Sequence, residues 1–156
     1  MSYKEQKLQQ QCVAWFRAQY PHYAMLLTHP INEGGHNTRV SGAIHKSEGT
    51  VAGVADLLLF LPSFYKERMF GCLGIEMKTE KGRQSQSQKD FERMFSAAQN
   101  CYVVVRNFDE FRTVITRWIG NIPADIAKSV VITHAGLSWE QKERDIKKFK
   151  SLINKK

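Results

Sequence analysis

The stretch Gly71-Cys72-Leu73-Gly74-Ile75-Glu76-Met77-Lys78 limits what this chain can fold into more than any other, because an apolar run there ends in a carboxylate and an ammonium two residues apart. In a strand, side chains at i and i+2 leave the same face, so Glu76 and Lys78 project together while Met77 points the other way. A lone Glu-x-Lys on an exposed strand reads most simply as a surface ion pair, which contributes little to stability. The upstream run Val54-Ala55-Asp56-Leu57-Leu58-Leu59-Phe60-Leu61 changes that reading. It is apolar on both faces, as in a central strand covered on both sides, yet it carries Asp56 at its start. A buried carboxylate is costly unless a cation or hydrogen-bond donors meet it. The short link between the two runs, through Pro62-Ser63 and Lys66-Glu67-Arg68, predicts a hairpin of antiparallel neighbours. Asp56 begins one strand and Glu76 ends the other, so both carboxylates reach the same sheet edge, an arrangement able to hold a divalent metal.

Around these strands the chain alternates between helical and extended patterns. From Tyr3 to about Tyr20 the residues Leu8, Cys12, Trp15, Phe16 and Tyr20 recur at helical spacing. Glu5 lies at the N-terminal end of that stripe, where the helix dipole favours an acid. Residues 24–29 predict a short strand, which Pro30 stops. The polar segment 31–52 that follows contains His36, Arg39, His45 and Lys46 and is long and weakly periodic for a compact domain. Two readings stand open for it: an ordinary surface loop, or a segment that holds a nucleic-acid backbone directly before Asp56. His36 and His45 lack the helical spacing of zinc ligands. Residues 79–84 form a basic turn, and Ser85-x-x-Gln88 has the form of a capping box. The helix it opens runs to about Asn100, with Phe91, Met94, Phe95 and Ala98 as its buried stripe. Residues 101–105 read as a buried strand. Asn107 caps the next helix, whose stripe is Phe111, Val114, Ile115 and Trp118. Beyond Gly120 the pattern weakens: Val130-Val131-Ile132 predicts a strand, and Ser138 opens a last helix through Ile146, Phe149 and Ile153. Residues 1–120 read as one unit and 121–156 as a C-terminal extension, helical at its end.

Composition narrows the function classes. At 156 residues the chain is one domain, or one domain with an appendage, and 42% hydrophobic with 24% charged residues suits a soluble globular protein. No apolar run approaches the roughly 20 residues of a membrane span. The first residues run straight into a helical pattern without a signal-peptide core, which predicts a cytoplasmic location. Cys12, Cys72 and Cys101 are odd in number and set in apolar segments, which favours reduced core thiols over a disulfide or zinc framework. The net charge of +8 favours polyanionic partners, nucleic acid first. Half of that excess lies beyond residue 120.

Gly53-Val54-Ala55-Asp56-Leu57 followed by Ile75-Glu76-Met77-Lys78 resembles the Asp and Glu-x-Lys elements of the PD-(D/E)XK nuclease superfamily. With Asn32-Glu33-Gly34 upstream and Gly82-Arg83-Gln84-Ser85-Gln86-Ser87-Gln88 downstream, residues 3–120 resemble more narrowly the VRR-NUC family, and Ala55 stands where that family usually has Pro. The resemblance implies a restriction-endonuclease-like α/β fold, a central mixed sheet flanked by helices. It also implies a metal-dependent DNA endonuclease that hydrolyses phosphodiester bonds. In such a site Glu5, Asp56, Glu76 and the backbone carbonyl of Met77 would hold Mg²⁺, or Mn²⁺ in its place, as hard oxygen ligands. Lys78 would orient or help deprotonate the attacking water and stabilise the transition state. Gln88 would point into the active site, a role not easily combined with capping. His36, Arg39, His45, Lys46, Lys81 and Arg83 are the candidates for DNA contact. Stand-alone members of the family act as homodimers on branched DNA, which implies a Holliday-junction-like substrate in replication, repair or recombination. The competing reading is a non-catalytic DNA-binding module on the same fold, against which the acids Glu5, Asp56 and Glu76 beside a polyanion argue.

Overall fold

The computed structural model describes residues 2–30, 47–65 and 67–137. Helix α1 (Tyr3–Gln19) leads through a 3₁₀ helix (Pro21–Leu26) into the two-residue strand β1 (Leu27–Thr28). Strands β2 (Leu57–Leu59), β3 (Ser63–Tyr65), β4 (Arg68–Phe70) and β5 (Leu73–Met77) follow. The chain continues with helix α2 (Gln86–Ala97), strand β6 (Cys101–Val105), helix α3 (Phe108–Ile119) and helix α4 (Ala124–Gly136).

The main sheet has the order β1-β2-β5-β6. β2 pairs antiparallel with both β1 and β5, while β5 and β6 run parallel. The parallel pair follows from the connection, since α2 lies between β5 and β6 and carries the chain back to the start of the sheet. β5 is the central strand in the physical sense, buried along its whole length. Its alternation sends Leu73, Ile75 and Met77 to one face, where they pack with Cys12 and Phe16 of α1 and Phe111, Ile115 and Trp118 of α3. Trp15 meets Phe108 and Phe111 edge-to-face in the same layer. Gly74 and Glu76 occupy the other face, beneath α2. A Cβ at Gly74 would lie 3.1 Å from the Phe95 ring and 3.2 Å from that of Tyr102. The missing side chain therefore lets Phe91, Phe95 and Tyr102 cluster over the strand.

Several expectations need correction. The link between β2 and β5 is itself a two-stranded ribbon, β3 against β4, rather than a turn. The ribbon is tied to α3, where Ser63 Oγ donates to the Trp118 carbonyl at 2.7 Å and Trp118 Nε1 donates to the Leu61 carbonyl at 2.9 Å. The segment expected as a strand over 24–29 is 3₁₀-helical to Leu26, with Pro21 pre-set for a helical first turn. Met94 is 72% exposed and Ala98 is exposed, so the covering stripe of α2 is Phe91 and Phe95 alone. Val130-Val131-Ile132 is helical, not a strand. Three β-branched residues favour a strand in isolation, but Ile126 and Val130 sit one helical turn apart and pack on the core, and that burial outweighs local propensity. Helix α4 docks on the 3₁₀ helix, with His134 Nδ1 at 3.1 Å from His22 Nδ1. The expected helix beyond Ser138 lies outside the described residues. The three cysteines are free, and burial pushes the thiols of Cys12 and Cys72 up to about 12 and about 11.

Filling the groove over β5 is expected to be costly. Gly74→Val should destabilise by about 1–3 kcal/mol in urea unfolding, because its methyls meet Phe95 and Tyr102 from two sides. Gly136→Ala, with nothing within 4 Å of its new Cβ, should be neutral or slightly stabilising. Equal effects from the two would contradict this packing.

Candidate active site

Three segments meet at the edge where β5 ends: the residue before β2, the first turn of α1 and the first turn of α2. The register Leu57↔Ile75, continued by one residue, sets Asp56 opposite Glu76. The side chain of Glu76 is fully buried. Its Oε1 accepts hydrogen bonds from Lys78 Nζ at 2.6 Å and from Gln88 Nε2, and its Oε2 accepts from the Tyr102 hydroxyl at 3.1 Å. Burial nonetheless pushes the Glu76 carboxyl above the usual carboxylate range; the Asp56 charge adds to this, and the Lys78 and Tyr102 contacts oppose it. The same burial, with the Glu76 charge, pushes the Tyr102 phenol up.

Asp56 is bound across to β5, its Oδ2 accepting from the Met77 N–H at 2.7 Å. Burial raises its carboxyl as well, against the pull of the Met77 bond and of the Lys78 and His29 charges. Glu5, 8% exposed, is the third residue of α1 and does two things. Its Oε2 accepts from the Ser2 N–H at 2.7 Å, completing a capping box, and its Oε1 accepts from the Thr79 N–H at 3.1 Å. Burial works against its charge, but the Ser2 and Thr79 bonds and the Lys78 charge leave its carboxyl below the usual range. Gln88 repeats the device at α2. Its Oε1 accepts from the Ser85 N–H at 2.8 Å while its Nε2 donates to Glu76. The cap and the bond to Glu76, expected to be hard to combine, are both made by this one side chain, because an amide has a separate acceptor and donor.

A cleft of about 230 Å³ opens beside these groups, lined by Glu5, Asp56, Met77, Lys78 and Gln88. Gly53 closes one wall. It has φ +84°, and a Cβ there would lie 2.3 Å from the Ser87 backbone, so only glycine fits against the first turn of α2. Glu76 lies behind Lys78 and Gln88 and does not line the cleft. Among the described residues, no three His, Cys, Asp or Glu side chains form a ready-made metal cluster. Glu76 is engaged by Lys78 and Gln88, and Glu5 by Ser2 and Thr79. The donor chemistry fits a hard divalent ion: carboxylates from three elements converge on one edge, and burial makes the charge on two of them unfavourable.

Lys81 and Arg83 are exposed on the turn after Lys78. His36, Arg39, His45 and Lys46 lie outside the described residues, as does Asn32-Glu33-Gly34. Sequence reasoning missed Tyr102, Thr79 and Arg106. Tyr102 was accessible from the strand alternation, since it pairs with Gly74 in register and shares the Glu76 face. Nothing local marks Arg106, whose Nη1 donates to the carbonyls of Thr79 at 2.6 Å, Glu80 at 3.1 Å and Gly82 at 2.9 Å.

No family model matches the chain, and no curated protein matches it. A solved structure titled "VRR_NUC domain protein" is similar to it, with 21% sequence identity and a TM-score of 0.64 over 78% of this chain and 92% of that one. That likeness establishes the restriction-endonuclease-like fold, and its title names the same family that the Asp56 and Glu76-x-Lys78 blocks resemble.

The raised carboxyls have a measurable consequence. A carboxyl with a folded pKa above its unfolded value binds its proton more tightly in the native state. Its contribution to stability is thus greatest below the ordinary carboxylate range and is lost as pH rises through the raised folded value. Glu5, shifted down, runs the other way, so a single-site comparison is needed. In EDTA at pH 7.5, Asp56→Asn should melt higher than wild type, a gap that closes toward pH 4. A gap independent of pH would show that the carboxylate charge is not its source.

Proposed function

We propose that this chain is a metal-dependent DNA endonuclease of the VRR-NUC kind, hydrolysing phosphodiester bonds at the edge where β5 ends. The observation that carries the reading is the meeting of Asp56, Glu76, Lys78 and Glu5 there, two of the acids buried beyond what the local cation offsets. Glu5, Asp56, Glu76 and the Met77 carbonyl would hold Mg²⁺ or Mn²⁺, which when bound acidifies a water and offsets charge building on the phosphate.

The chain's own residues supply the rest. The Lys78 side chain is 12% exposed, and its ammonium borders both Glu76 and the cleft. From there it can turn to a phosphoryl oxygen and meet charge as it develops, in a site where water is largely displaced. Gln88, anchored by the α2 cap, holds the Glu76 carboxylate in one orientation. Exposed Lys81 and Arg83 beside the cleft, together with the net charge of +8, suit contacts to a phosphate backbone. The finer reading, drawn from the family resemblance, is a homodimer that cuts branched DNA in replication, repair or recombination.

Cleavage of branched and linear DNAs with and without Mg²⁺ tests the proposal. Wild type should cut only with the metal, which should also raise its melting temperature by mass action. Absence of both effects on every DNA would leave the DNA-binding module as the better reading. Lys78→Met should lower turnover at least about 100-fold with little change in DNA affinity, since one charge among many is a small part of backbone binding. Parallel losses in both would make Lys78 a phosphate anchor.

A further inference from the structure

The turn that follows Lys78 touches two groups of the site at once. Its first residue, Thr79, gives its N–H to Glu5 Oε1 at 3.1 Å. Its last, Gly82, lies against the lysine stem: a Cβ there would stand 3.3 Å from Lys78 Cδ, 3.2 Å from Thr79 N and 3.0 Å from Thr79 Oγ1. The turn carries one internal main-chain bond, from the Gly82 N–H to the Thr79 carbonyl at 3.0 Å. Three of its carbonyls, that same Thr79 carbonyl and those of Glu80 and Gly82, accept from Arg106 Nη1 at 2.6, 3.1 and 2.9 Å. Arg106 follows β6 directly and its own N–H is fixed by Glu110 Oε2 at 2.8 Å, in the first turn of α3. The guanidinium thus ties the turn to a rigid strand–helix junction.

We propose that Arg106 is a positioning residue: through this turn it holds the Glu5 carboxylate and the Lys78 stem in the arrangement the site requires. A cation bonded to three carbonyls adds to the turn's single internal bond, and charge-assisted bonds of this kind are the strong ones. Without it the Thr79 N–H loses its fixed direction, and Glu5 keeps only its cap to Ser2. The effect of Arg106 on metal affinity rests on the nuclease reading; its effect on the turn does not.

The test compares wild type, Arg106→Met and Arg106→Lys by amide exchange, by Mn²⁺ titration calorimetry and by steady-state kinetics on DNA. Arg106→Met should speed exchange of the Thr79 amide about tenfold or more while core amides of β5 hold their rates. It should also weaken Mn²⁺ binding about tenfold, as loss of an outer-shell partner does. The kcat should fall with it while KM for DNA stays level, and Arg106→Lys, which keeps the charge and three donors, should recover part of each. If Arg106→Met fails to fold, Arg106→Gln, which keeps a donor but loses the charge, takes its place in the same three measurements. Unchanged Thr79 exchange and Mn²⁺ affinity would overturn the proposal, as would weakened DNA binding with Mn²⁺ affinity intact, which would make Arg106 a phosphate contact. A wild type that binds no Mn²⁺ defeats the nuclease reading instead, and the Thr79 exchange rate then decides the proposal alone.

Discussion

The carboxylate of Glu76, fully buried on the central strand, is the constraint on which the rest of the site depends. An unpaired buried charge costs several kcal/mol, on the order of what a whole domain has to spare. The fold answers with donors from three places: Lys78 two residues on, Gln88 from α2 and the Tyr102 hydroxyl from β6. Each of these donors in turn dictates packing. Tyr102 must lie on the α2 face of β6, and Phe91 and Phe95 close over it, which is possible only because Gly74 leaves room.

Both helices that reach the site do so through their first turns, and by the same device. In each, Ser opens a capping box and the third helical residue, Glu5 or Gln88, completes it while its other side-chain atom leaves the helix for the site. A cap fixes the side chain that makes it, so the rotamers of Glu5 and Gln88 are set by helix termination before any ligand arrives. Helix start and site geometry are therefore one structural decision, and a slip of α1 or α2 by one residue would remove both.

The elements closest to this edge were the most legible in the sequence. The Asp56 and Glu76 strands, the antiparallel relation that brings the two acids together, the caps at Ser85 and Asn107 and the stripe of α3 all follow from patterns within a few residues. The misreadings lie where tertiary contact decides. Val130 to Ile132 carry strand propensity but pack as a helix. Met94 fits the stripe of α2 by spacing yet is exposed. The β3–β4 ribbon hides in what reads as a turn, since strands of three residues leave almost no alternation to detect. Gln88 makes the cap that its spacing predicts and also reaches Glu76, a combination that spacing does not show because it depends on the two ends of one amide.

Charge, finally, is distributed in opposite senses at two scales. The chain as a whole carries +8, which draws a polyanion toward it, but the edge where β5 ends gathers Glu5, Asp56 and Glu76 around Lys78. Arg106 stands behind the turn, its Nη1 bonded to the carbonyls of Thr79, Glu80 and Gly82 rather than to any of the three acids. Under the nuclease reading, a phosphodiester that reaches this edge meets a locally negative site. Direct contact between phosphate and carboxylates is repulsive, and the repulsion is stronger the more water is displaced. A divalent cation reverses the sign of that contact with no change in the fold, so under the nuclease reading binding and cleavage separate by design: the surface charge brings DNA to the protein, and the acids admit it to chemistry only in company with a metal.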